Sequence, residues 1–395
     1  RFELPKAYVE WEDERWEVVA GTYRIGFGQR LTFDVTNQVT PNGSFGDYEI
    51  RRVSELRLAC RRGAGERLES PCPTAPSARI TPDYAWTSRL TGVALGLKRQ
   101  AIGRGWLQSY GWGSFQVHRS FQTEVVDAGV CRDPRRDEDP GCRAPDVFAL
   151  AGPPGVAAPS VTSSTLPAMY GEGLAGINAS YFWNDRTHLG ATSYGAFPKW
   201  LVRGVELGFQ ETARRPFGGP FGAVGIDAAY GFGRQDLFIE VARSFDSQPE
   251  GGGFGLVARS VTTFEVAELE VSARHYGMRY ANPYARPIAA PDELEGLRAR
   301  NESGLRVRST LGLGSRSSLR LLLDGWREPS TGSLACSTFA RADLQISPAL
   351  RWAAWAEVRL GGVPRLFAAS QLAYRGARQV TLSAQLQHRR SLDAP

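Results

Sequence analysis

The chain has 395 residues, a mean hydropathy of −0.29 and no apolar run of about eighteen residues, which excludes a membrane-spanning helix. The net charge is +6, and because Lys6, Lys98 and Lys199 are the only lysines, 47 minus 3 leaves 44 arginines against 41 acids. This near balance excludes a uniformly basic track, and a GC-rich genome is the simplest source of the arginine bias.

In chain order, alternation of apolar and polar residues predicts strands near 7–13 and 15–27, because a period of two sorts side chains to two faces. An irregular stretch runs from 28 to 87 and includes a turn-rich run from Thr36 to Gly43. Within it, Tyr48 to Leu58 reads as a short helix or a strand. Cys60 and Cys72 flank the polar stretch from Gly63 to Pro71. Strands follow near 88–100 and 105–118. A long loop then spans 128–170, where Cys131 and Cys142 flank a run of prolines and charges from Arg132 to Pro140, and Gly152-Pro153-Pro154-Gly155 follows.

Further strands are predicted near 172–184, 187–198, 221–233, 235–246, 252–264 and 266–280, with another loop over 282–300. The last ninety residues alternate most cleanly. Leu305, Val307, Ser309, Leu311 and Leu313 share one face, with Arg306, Arg308, Thr310 and Gly312 on the other. The same holds for Leu319, Leu321 and Leu323 against Arg320, Leu322 and Asp324, and for Ala340, Ala342, Leu344 and Ile346 against Arg341, Asp343 and Gln345. Leu350, Trp352, Ala354, Ala356, Val358 and Leu360 oppose Arg351, Trp355, Glu357 and Arg359. A strand over 364–376 precedes a last one, where Val380, Leu382, Ala384 and Leu386 oppose Thr381, Ser383, Gln385 and Gln387.

Strands of about ten to thirteen residues suit a tilted bilayer crossing, whereas sandwich strands are usually about five or six. In hydrocarbon every backbone polar group must be satisfied internally, so a chain without long apolar helices spans only as a closed barrel. The prediction is an all-β, antiparallel transmembrane β-barrel of about 16 strands in the bacterial outer membrane, about 18 in the intact protein. Residues 1–395 form one domain with insertions at 28–87, 128–170 and 282–300. Ten Trp and thirteen Tyr suit interfacial girdles, although a soluble β-protein could carry as many. Arg1-Phe2-Glu3-Leu4 reads like the middle of something, and Arg389 to Pro395 has no terminal aromatic. We therefore expect a processed or trimmed chain, with more residues following Pro395.

Tight turns at Asn184 to Arg186, Gly314 to Arg316 and Ser347 to Ala349 belong on the periplasmic side, and the long insertions outside. Gly361 to Pro364 is a short connection on the long-loop side. The 28–87 stretch has an alternative: folding inward as a constriction or partial plug. Barrels of this size enclose a lumen too wide for wall side chains alone to fill. The predicted lumen-lining residues are Arg306, Arg308, Arg320, Arg341, Arg351, Arg359 and Arg375, with Asp227, Asp324, Asp343 and Glu357 sharing that face. Such an interior serves as a mildly anion-attracting pore, as cross-lumen ion pairs that stiffen the wall, or as both.

Two cysteine pairs closing short loops, Cys60 with Cys72 and Cys131 with Cys142, predict local disulfides in an oxidising compartment and leave Cys336 over. Neither pair has zinc spacing, and the acidic run from Asp133 to Asp139 does not fit a calcium loop, so no metal or cofactor is expected. Gly26-Phe27-Gly28 and Gly251-Gly252-Gly253 are turn and strand glycines, since no helix follows to cradle a phosphate. The histidines are His118, His188, His275 and His388. No Gly-x-Ser-x-Gly elbow or His-x-x-x-His occurs, so the expectation is a protein that is not an enzyme. A hydrolase would need one of the histidines beside a Ser or Asp at the rim.

Two stretches resemble a family. Ala7 to Trp11 followed by Gly21 to Leu31, and Phe238 to Ala242 followed by His275 to Tyr284 and Asn301 to Leu305, resemble the barrel domain of bacterial outer-membrane proteins with upstream helix-hairpin-helix repeats. Arg30 stands where that family usually has a second glycine. The helix-hairpin-helix part, a sequence-independent nucleic-acid binder, is absent here, so the resemblance implies a barrel with a missing upstream soluble part and an expectation of DNA handling at the outer membrane. Three functional expectations result: a conduit for nucleic acid or other anionic solutes, a plugged platform docking periplasmic or surface proteins, and an outer-membrane hydrolase.

Overall fold

A computed structural model describes residues 7–36, 38–46, 90–121, 125–126, 165–201, 206–207, 219–247, 251–289, 301–314, 316–361, 364–376 and 381–391. These residues form strands and turns and no helix. The strands are Tyr8–Glu12 (β1), Trp16–Gly26 (β2), Gly43–Gly46 (β3), Leu90–Ile102 (β4), Gly105–Phe121 (β5), Val125–Val126 (β6), Thr165–Asn184 (β7), Thr187–Trp200 (β8), Glu206–Leu207 (β9), Phe221–Phe232 (β10), Gln235–Phe245 (β11), Phe254–Thr263 (β12), Ala267–Tyr276 (β13), Glu302–Gly312 (β14), Ser318–Arg327 (β15), Leu334–Gln345 (β16), Leu350–Leu360 (β17), Arg365–Arg375 (β18) and Thr381–Ser391 (β19).

Seventeen of them form one antiparallel sheet. Apart from β3, each strand pairs with the next along the chain, from β1 with β2 through β18 with β19. β3 pairs with the upper part of β2 on the flank that β1 occupies below, since Tyr23 has Gly46 on one side and Leu90 on the other. The two-residue β6 and β9 pair separately. The sheet is barrel-like, but among the described residues no pairing joins β19 to β1, so the closure expected from the sequence is not present.

Most of the tight hairpins lie at one end. Connections between β1 and β2, β4 and β5, β7 and β8, β10 and β11, β14 and β15, and β16 and β17 take only two to five residues. At the first, Asp13 Oδ1 accepts the N–H groups of Trp16 and Arg15, both at 2.7 Å. Those two backbone donors hold its carboxyl below the usual carboxylate range. The opposite end carries the long excursions, together with the short Gly361–Pro364 link.

The two faces of the sheet invert the pattern of a soluble protein. On β10, Ile226 is 59% exposed while its neighbour Asp227 is 5% exposed, and on β11 Ile239 is exposed while Glu240 is buried. Outward residues include Leu95, Ile177, Leu189, Val241, Leu256, Leu323 and Leu382, all exposed. Aromatic side chains flank this aliphatic zone in two bands. Trp16, Trp183, Phe232 and Phe264 are exposed beside the tight turns, and Phe115, Phe197, Phe245 and Phe254 towards the long-loop end. Glu172, Asn178, Glu240, Glu270, Arg274, Glu302, Asp324 and Asp343 are buried on the inner face. Burying ionised groups is tolerated only where they are paired and hydrogen-bonded, and an apolar exterior this extensive suits hydrocarbon, not water.

β13 stops at Tyr276, four residues before the predicted end at 280. Gly277 to Ala289 turn into the interior instead of continuing the wall. Three tyrosines spaced four apart drive the change: Tyr276 donates its hydroxyl to Ile288 O, Tyr280 to Leu31 O at 2.7 Å and Tyr284 to Glu172. A straight strand would keep these three side chains on one face of the wall and could not carry Tyr280 to Leu31.

Candidate functional site

The interior is built from a strap, residues 27–36, which leaves the top of β2 and folds back beneath it. Gly26 bridges Asp34, Phe27 N donates to Phe33 O at 3.2 Å, and Arg30 N donates to Phe27 O at 3.1 Å. Gly28 sits at φ +59, a conformation costly for side-chain-bearing residues, and a Cβ there would come 2.9 Å from Glu240 Oε2. Of the 28–87 insertion, the described part from Gly28 to Thr36 therefore folds inward, as the alternative reading held.

Glu240 of β11 is the strap's anchor. Its carboxylate accepts N–H bonds from Gln29 at 2.6 Å, Leu31 at 3.0 Å and Thr32 at 2.8 Å, and the Thr32 hydroxyl at 2.7 Å. Closely spaced backbone donors turned towards one acceptor form an anion nest, here filled by a wall side chain. Across the ladder from Glu240 stands Asp227, which meets His188 Nε2 at 2.9 Å.

The second inward loop, Gly277 to Ala289, packs on the strap. Asp34 N donates to Tyr284 O at 2.8 Å, Arg286 N to Arg30 O at 2.7 Å, and Asn282 Nδ2 to Leu31 O and Thr32 O at 3.0 and 2.9 Å. Phe33 stacks on Tyr284 with centroids 5.0 Å apart and touches Trp112 of β5 and Tyr194 of β8 at 5.0 and 4.9 Å. Tyr194 in turn donates to Asn282 Oδ1 at 2.6 Å. Wall residues of β2, β4, β5, β7, β8 and β10 thus converge on one buried cluster around Phe27, Phe33, Val35 and Tyr284. Part of the loop predicted to lie outside at 282–300 is instead core, because Tyr284, Ala285 and Ala289 find an apolar interior there.

Beyond this filled region the inner face is a ladder of ion pairs. Arg274 of β13 bonds Glu302 and, at 2.7 Å, Asp324 Oδ1; Arg306 holds Asp324 Oδ2 at 2.6 Å and caps Ala289 O at 2.6 Å. Arg308 meets Glu270 at 3.0 Å. Asp343 gathers Arg341, Arg351 and Arg320 at 2.8, 2.9 and 3.2 Å. Replacing Asp324 by asparagine is expected to destabilise the folded barrel by about 3 kcal/mol, because it strips a buried guanidinium of its counter-charge. Chemical unfolding in detergent micelles measures this.

All eleven sequence-proposed lumen residues fall on the inner face. Asp227, Asp324, Asp343, Arg306, Arg308, Arg320, Arg341 and Arg351 make the contacts just described. Glu357 stands opposite Phe367, Arg359 lies 5.9 Å from the Trp326 ring, and Arg375 stands opposite Thr381. Sequence reasoning missed Glu240, Glu270, Arg274 and Glu302. Their signal was present: each is a charged residue at the inward position of an alternating strand. Cys60, Cys72, Cys131 and Cys142 lie outside the described residues, as do Tyr48 to Leu58 and the acidic run at 133–139. Cys336 is free, on the outer face opposite Gly325 and Leu360.

No protein-family model matches this chain, and no curated protein matches its sequence.

Proposed function

We propose that this chain is an outer-membrane β-barrel whose interior, narrowed by the strap and the second inward loop, serves as a constricted conduit for anionic solutes. The membrane assignment rests on the inverted faces and the two aromatic bands, which match an apolar zone between two headgroup regions. The observation that carries the conduit is the row of arginines on β15 to β17. The Arg320 and Arg351 side chains keep 49% and 55% of their surface exposed on the inner face, on the far side of the ion ladder from the strap. Three guanidinium groups share one carboxylate there, so the local charge is positive and attracts anions. Nucleic acid as a passenger rests on the family resemblance.

A second reading is a platform with an occluded interior that holds its long loops for periplasmic or surface partners. The buried cluster around Phe33 and the Glu240 anchor favour it. Planar-bilayer conductance separates the two. The conduit predicts steady, anion-selective current in the native protein, and Arg320→Glu with Arg351→Glu should shift selectivity towards cations. Binding of a polyanionic oligonucleotide should block the current and weaken steeply with salt. Silence from a folded native barrel would overturn the conduit in favour of the platform.

A further inference from the structure

We propose that the outer wall carries a serine acyl-transfer centre, with Ser303 as nucleophile and His275 as its base, acting on the acyl esters of membrane lipid. The two residues are direct cross-strand partners on β13 and β14, both pointing outward. His275 Nδ1 lies 2.7 Å from Ser303 Oγ, within reach for proton transfer. On the other side, Ser303 pairs directly with Arg327 of β15, so base, nucleophile and cation form one row across three strands. Beside the row is a shallow, open groove of about 620 Å³ lined by Ser303, Leu305, Arg327, Leu334, Cys336 and Leu360. Gly325 contributes to it and has no atom within 4 Å of where a Cβ would stand, so nothing fills the space beside the serine. Underneath, Gly304 packs against the Arg274 guanidinium, and the Arg274–Glu302–Asp324 network stiffens this part of the wall.

The chemistry balances without a metal or co-reactant other than water. With the imidazole as its Nε2–H tautomer, Nδ1 accepts the hydroxyl proton while Ser303 Oγ bonds to the ester carbonyl carbon. Arg327 stands on the side where the oxyanion charge develops. Collapse breaks the bond to the alcohol oxygen, which takes the proton from His275. Water, deprotonated by the same imidazole, then releases the fatty acid and restores Ser303. Among the described residues no carboxylate hydrogen-bonds the other ring nitrogen, so the rate should be that of a dyad and not of a full triad. The apolar groove suits an acyl chain, and the row lies on the lipid-facing side towards the long-loop end. The substrate class therefore rests on the membrane reading, whereas the dyad itself does not.

The test uses the folded chain in detergent micelles. An alkyl fluorophosphonate should form an adduct that peptide mass mapping assigns to Ser303, and p-nitrophenyl octanoate should be hydrolysed. Ser303→Ala and His275→Ala should each lower turnover by about 100-fold or more, and Arg327→Gln by about 10-fold, with unchanged heat-modifiable migration of the folded barrel. Absence of the Ser303 adduct in folded protein, or hydrolysis indifferent to Ser303→Ala, would overturn the proposal. Fatty acid released from phosphatidylcholine vesicles holding the barrel supports the lipid substrate. Cleavage of the soluble ester with no release from vesicles that demonstrably contain the protein overturns that substrate, independently of any conductance result.

Discussion

Glu240→Ala should be the most destabilising single substitution in the interior, lowering unfolding free energy by about 4 kcal/mol. The carboxylate satisfies three strap N–H groups and the Thr32 hydroxyl. Each buried donor left without an acceptor loses about 1–3 kcal/mol, and water entering the vacated space recovers part of that. Glu240→Gln keeps one acceptor oxygen in place and should lose about half as much. Urea titration of the barrel in lipid vesicles measures both. Trp112 provides the local signal, since its ring lies 5.5 Å from Phe27 and 5.0 Å from Phe33. A strap transition separated from global unfolding would show that the wall stands without it. Equal stability of native protein and Glu240→Ala would mean that the nest does not hold the strap.

Gly225→Val should have the largest effect on conductance. Gly225 faces inward on β10, where any Cβ would collide with Thr32 Oγ1 and approach the backbone oxygen of Val241 at 3.0 Å. Valine favours strands, but the Cβ also presses on β11 at Val241 O and Ala242, so the closest clash falls on the strap's seat and a lesser strain on the wall. If the interior conducts as proposed, displacing the strap should raise single-channel conductance several-fold and add open-state noise, and ion selectivity should still follow Arg320, Arg341 and Arg351. A folded Gly225→Val barrel with native conductance would show that the current, if any, runs wholly outside the strap's reach. Combining Gly225→Val with Glu240→Ala should give less than the sum of the two effects, because both act through the same docked loop.

The pairing of ion networks with an apolar exterior also explains which parts of the wall tolerate change. Arg274 and Arg306 are neutralised by Glu302 and Asp324, so removing one member of that set leaves its partners uncompensated. Exchanging one outward aliphatic residue for another should matter little.

The sequence by itself determined most of the wall strands, their faces and the end at which most of the tight turns lie. Alternation is a local property: Arg306 and Val307 go to opposite faces whatever the rest of the chain does, because successive Cβ atoms point to opposite sides. This is why Arg320, Arg341, Arg351 and Asp343 could be assigned to one face before any coordinates. It is also why the tight turns at Asn184 to Arg186 and Ser347 to Ala349 could be assigned to one end. Tertiary structure alone decided the interior and the outer-wall row. That Glu240 meets Gln29 to Thr32, more than two hundred residues away, depends on how far the sheet curls and where the strap enters it. That His275 faces Ser303, and Ser303 faces Arg327, depends on the register of β13, β14 and β15. Register is a cumulative property of the ladder, so a slip of one residue would have parted the imidazole from the hydroxyl and sent them to opposite faces.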